Sequence, residues 1–133
     1  MTGRYRSAFL IGLLLIGCAG CSFTAPPDSA GPAAVLDAYL RALKSGDCAA
    51  GKVLGTATFS YGNGELCGAT SVIAYRVVGD PATPTNDEAV FGTTLTTTGT
   101  GDGSVPAGDV TWFYSLERQA NGAWRLTGGG SGP

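Results

Sequence analysis

The chain has 133 residues, 44% of them hydrophobic and 14% charged, with a formal net charge of −2, four cysteines and no histidine. This length holds one small domain and excludes a multidomain enzyme. The lack of histidine removes the commonest general base, the commonest metal ligand and every Ser/His or Cys/His nucleophile pair. A near-neutral, slightly acidic balance also argues against a nucleic-acid partner, because such binders carry a clustered basic face.

In chain order, Arg4 and Arg6 precede an apolar run from Phe9 to Ile16. A basic start followed by a short apolar stretch reads as a secretory signal, and the run falls short of the roughly 20 apolar residues that a spanning helix needs. The run ends in Leu15, Ile16, Gly17 and Cys18, which resembles the lipobox of bacterial lipoproteins. The resemblance implies that the Cys18 thiol is alkylated with diacylglycerol, that the signal spanning residues 1–17 is removed, and that the new N-terminus is often acylated. Cys21, after the small pair Ala19 and Gly20, is the alternative acceptor. Cysteine parity favours Cys21, since cutting there leaves an even number in the mature chain; the motif favours Cys18. Two or more acyl chains give stable anchoring, so the implied location is the outer face of the bacterial cytoplasmic membrane, with an extracytoplasmic domain. Residues 18–31 are small, polar and Pro-containing without apolar periodicity, as in a flexible tether.

The domain is expected over residues 32–133. Val35, Leu36, Tyr39, Leu40 and Leu43 recur at helical spacing, with Asp37, Arg41 and Lys44 largely on the other side. Pro32 suits the first turn of this helix and Gly46 its C-cap. A second, shorter helix starts after Asp47 as its N-cap. Residues 56–61 are read as a short strand. Cys48 and Cys67, 19 positions apart, are expected to form a disulfide outside the cytoplasm.

Four further strands follow, at residues 71–78, 89–98, 109–118 and 123–127, rich in β-branched and aromatic side chains and separated by Gly, Pro, Asn and Asp. The segment from Thr98 to Ser104 is Gly-rich, but neither a lysine nor a helix start follows, so it reads as a mobile connection rather than a phosphate cradle. The last hairpin can be registered. A two-residue turn at Asn121 and Gly122 would set Arg118 opposite Arg125 and the tryptophan face against a polar face. A three-residue loop of Ala120, Asn121 and a left-handed Gly122 instead places Arg118 opposite Trp124, Glu117 opposite Arg125 and Leu116 opposite Leu126. The second register is expected. The fold class is therefore α+β, an N-terminal helix packed on an antiparallel β-meander over the face that carries Trp112, Tyr114, Leu116, Trp124 and Leu126.

An opening helix with Tyr39, Leu40, Ala42, Leu43, Gly46 and Asp47, and a closing hairpin with Gly122, Trp124 and Leu126, resemble the nuclear transport factor 2-like superfamily, the SnoaL-like cone folds. The resemblance implies a curved, cone-like sheet. Enzymes of that superfamily use an Asp base with a Tyr, Asp or His acid; here Asp37 falls on the polar side of its helix and Asp47 reads as a cap, so no catalytic residue, no metal and no cofactor is expected. Two functions remain. One is a non-catalytic binding module that contacts an envelope protein. The other is a carrier or isomerase-like cone for a small apolar ligand, with Tyr39, Tyr75, Trp112 and Tyr114 lining its pocket.

Overall fold

The computed structural model describes residues 23–132. Cys18 and Cys21, with the signal and the start of the tether, lie outside the described residues. The chain order is α1 (Pro32–Ser45), α2 (Cys48–Lys52), α3 (Ala57–Ser60), then β1 (Val72–Ala82), β2 (Glu88–Thr98), β3 (Ala107–Arg118) and β4 (Trp124–Gly130). The strands form one antiparallel sheet in the order β1-β2-β3-β4. The domain is α+β. No helix among the described residues is long and apolar enough to cross a membrane.

The apolar stripe of α1 is buried from Val35 to Leu43, while Asp37, Arg41 and Lys44 face solvent. Gly46 ends the helix in the left-handed region, φ +73°. That conformation turns the chain so that the Asp47 N–H donates to the Ala42 carbonyl at 3.0 Å. Asp47 caps α2 by accepting from the Ala50 N–H at 3.0 Å. Cys48 and Cys67 form a disulfide with their Cα atoms 5.5 Å apart, which ties α2 to the segment before β1.

The buried side of the sheet carries Phe91, Thr93, Leu95 and Thr97 from β2, Tyr114 and Leu116 from β3, and Trp124 and Leu126 from β4. The β3–β4 hairpin has the expected register: Arg118 opposite Trp124, Glu117 opposite Arg125, Leu116 opposite Leu126. Gln119 and Ala123 close the three-residue loop with a 2.8 Å bond, and Gly122 is left-handed at φ +87°. Arg118 lies over the Trp124 ring, 5.1 Å from its centroid, so the residue facing tryptophan in the register also adds a cation–π contact.

One expectation is corrected. Residues 56–61 are not a strand; they hold α3, started by Thr56, whose hydroxyl accepts from the Phe59 N–H at 3.4 Å. The β-branched and aromatic composition suggested a strand, but the N-cap and the burial of Phe59 in the core decide for a helical turn. From Phe23 onward the expected tether lies in contact with the domain: Phe23 and Ala30 pack against the core and Asp28 pairs with Arg125 at 3.3 Å. The connection between β2 and β3 is hydrogen-bonded within itself, with Asp102 accepting from the N–H and hydroxyl of Ser104 at 2.9 and 2.7 Å. These bonds stabilise the ionised carboxyl and pull it down to about 2.

Candidate functional site

Between the helices and the sheet, one side chain from each of three elements meets the others: Tyr39 of α1, Phe59 of α3 and Tyr114 of β3. Their ring centroids are 5.4, 5.4 and 6.4 Å apart and all three pairs are edge-to-face. Tyr39, Phe59 and Tyr114 are fully buried, and they fill the space between the layers with ring edges and faces.

One polar group enters this apolar region. The Tyr39 hydroxyl donates to Glu65 Oε1 at 2.6 Å, and the same oxygen accepts from the Cys67 N–H at 2.8 Å. Glu65 is placed there by its surroundings. The disulfide holds Cys67 two residues on. On the other side Gly64, at φ +93°, lies so close to β4 that a Cβ on it would sit 2.4 Å from the Gly129 backbone, a spacing that only two glycines permit. Burial is the main reason that the Tyr39 phenol is held far above its ordinary value, with the Tyr114 hydroxyl and the Glu65 carboxylate adding to it. Burial likewise raises Tyr114. Both phenols stay protonated across the physiological range.

Three polar atoms in this region are sealed from solvent without a hydrogen-bond partner: the second Glu65 oxygen, the Trp112 indole N–H and the Tyr114 hydroxyl. An open cleft of about 390 Å³ is bordered by two of these residues, Glu65 and Trp112, together with Asn63, Thr100 and Ser104.

The four aromatic side chains expected around a pocket are divided. Tyr39 and Tyr114 are in contact in the filled interior. Trp112 borders the cleft. Tyr75 sits apart on β1, opposite Leu95 and half-buried; burial raises its phenol first, and then the charge of Asp37 from α1, against which Arg41 acts in the lowering direction. Among the described residues no group of three or more His, Cys, Asp or Glu side chains stands close enough to hold a metal ion. Glu65 and Phe59 were not singled out by the sequence reading. Glu65 lies 26 positions from Tyr39, and no local spacing points from one to the other; its place two residues before a bridged cysteine was the one signal available.

Among the described residues no helix lies on the far side of the sheet. There Val78 of β1, Val90, Gly92 and Thr94 of β2, and Phe113 of β3 line a shallow groove of about 460 Å³, flanked by Arg76 and Asp80. Gly92 forms its floor: a Cβ at that position would meet the Phe113 ring at 3.4 Å. No family model matches the chain, and the comparison with curated proteins gives no match.

Proposed function

We propose that this chain is a lipid-anchored lipoprotein on the outer face of the bacterial cytoplasmic membrane, and that its domain, of the nuclear transport factor 2-like kind, is a non-catalytic binding module for another component of the cell envelope. The observation that carries the binding reading is the filled interior. Tyr39, Phe59 and Tyr114 occupy the volume in which a cone would hold a small ligand, so the surfaces left for recognition are external ones, the groove of the bare sheet face foremost. The anchor rests on the lipobox at Cys18, with Cys21 as the alternative acceptor. The Cys48–Cys67 disulfide supports an oxidising compartment.

A second reading, a carrier or isomerase-like cone for a small apolar ligand, draws on the unpartnered Glu65 and Trp112 atoms beside the cleft and on the unpartnered Tyr114 hydroxyl in the interior, since buried polar groups without partners are uncommon. Mass spectrometry of the protein extracted from membranes tests both parts. A diacylated peptide beginning at Cys18 or Cys21 is expected, and its absence would overturn the anchor. The intact domain is expected to fly without a small molecule and to crosslink in cells to a second protein; a stoichiometric apolar ligand would overturn the module in favour of the carrier.

A further inference from the structure

Residues 23–31 are held to the domain at one end of the sheet. Asp28 pairs with Arg125 at 3.3 Å, the Ala30 N–H donates to the Pro27 carbonyl at 2.9 Å, and Phe23 and Ala30 pack against the core. Arg125 sits beside the β3–β4 turn, opposite Glu117. Glu88, at the start of β2, faces Glu117 from the other side, and Asp87 just before it pairs with Arg118 at 3.3 Å. The turns 83–87 and 119–123 therefore share this end with Asp28. The opposite end holds the β2–β3 connection, where Thr98 faces Ala107 and the last residues of α1 border one cavity with Val72, Thr98 and Gly99. Along β3, from Ala107 to Arg118, the two ends are about 35 Å apart at roughly 3.3 Å per residue.

These contacts shorten the link to a membrane. At no more than about 3.6 Å per residue, Phe23 lies within about 18 Å of Asp28, in the half of the domain nearer the two turns. Cys18 and Cys21 precede Phe23 by five and two positions, so the free chain from an acylated cysteine spans at most about 18 or 7 Å. With residues 23–31 detached, the free chain would reach Pro32 and span about 50 or 40 Å. A domain of this size has a radius of gyration of about 13 Å and hence a width of about 34 Å. The detached chain exceeds that width and lets the domain turn any face to the bilayer. The held chain is about half the width or less, and a half turn is out of its reach.

We infer that residues 23–31 are a strap that orients the domain on the bilayer, with the turns 83–87 and 119–123 toward the lipid headgroups and the β2–β3 connection turned away. The strap rests on the lipoprotein reading proposed above, in which Cys18 or Cys21 carries the acyl chains. Closeness comes from the short link and not from charge attraction: Arg118 and Arg125 at this end are already paired with Asp87 and Asp28. The cleft bordered by Glu65, Thr100, Ser104 and Trp112 then opens at the end away from the membrane, toward components beyond the bilayer.

The test uses the full-length chain extracted from membranes and reconstituted in phosphatidylcholine bilayer discs that carry a spin label on the headgroup. Paramagnetic broadening of the backbone amide signals reads distance from the headgroups. Because broadening falls steeply with distance and the two ends are about 35 Å apart, it is expected to be at least about tenfold stronger at Ala120 and Asn121 than at Gly101 and Asp102. Phe23→Ala with Asp28→Arg, which removes the apolar contact and sets a like charge against Arg125, is expected to bring that ratio close to one while the β3 amide signals keep their positions. Mass spectrometry of the same preparation separates the two ways of failing. A chain without acyl groups overturns the lipoprotein reading and the strap with it. An acylated chain with equal or inverted broadening at the two ends, or with a ratio that the double substitution leaves unchanged, overturns the strap alone.

Discussion

β4 and β1 are both edge strands of one small sheet, and they are built in opposite ways. β4 places Trp124 and Leu126 in the core, and its outer backbone groups are taken up by residues 54–56 and 63. The disulfide ties the segment that follows those residues back to α2. On β1, Val72 alone is buried. The difference shows that a sheet edge is protected by what the rest of the chain can reach: the segment from Leu54 to Asn63 hydrogen-bonds along the outer edge of β4, and no described segment does so along β1.

Four measurements sharpen or break this contrast. Leu126→Ala, at a fully buried position of β4, is expected to cost about 2–5 kcal/mol through lost burial and a cavity, read as a lower midpoint in urea unfolding; a loss below 1 kcal/mol would show that β4 is not the anchored edge. Replacing Cys48 and Cys67 together by Ala opens a loop of 19 positions and should lower stability by about 3 kcal/mol in the chain-entropy model, measured the same way.

The third is a pH dependence. Because the Tyr39 and Tyr114 phenols are held well above their ordinary value in the folded domain, the unfolded chain releases their protons first. Stability is therefore intact below about pH 10 and declines above it, by roughly 1 kcal/mol per pH unit for each tyrosine. Ultraviolet titration should show two phenols that ionise only as the domain unfolds, and Tyr39→Phe should make the alkaline decline shallower. The smallest effect belongs to β1: Val77→Ala, at a half-exposed position, is expected to change the stability of the single domain by about 0.5 kcal/mol or less. A larger loss at Val77 than at Leu126 would invert the comparison.

The parts legible in the residues alone share one property, that the deciding partners are close in sequence or marked by an exclusive chemistry. The stripe from Val35 to Leu43 repeats within one helix. The Arg118 to Trp124 hairpin has a single register in which Glu117 and Arg125 face each other and the apolar faces coincide. Cys48 and Cys67 are marked by their chemistry. Where these signals stop, local composition misleads. Thr56 to Tyr61 has the side chains of a strand, yet Phe59 must lie against Gly55, so close that a Cβ on Gly55 would be 2.5 Å from the ring, and a helical turn delivers it there. β4 runs on through three glycines to Gly130 and β1 past Pro81, because the neighbouring strand supplies pairing that no propensity scale anticipates.

The helix, the meander, its last hairpin and the disulfide pairing were thus determined by the sequence through near-neighbour periodicity and charge. The tertiary structure alone decided which tyrosines meet, that Glu65 joins them, and which edge of the sheet stays open. Those outcomes depend on contacts between residues tens of positions apart, and only the packing of one layer on another brings such residues within a few ångströms.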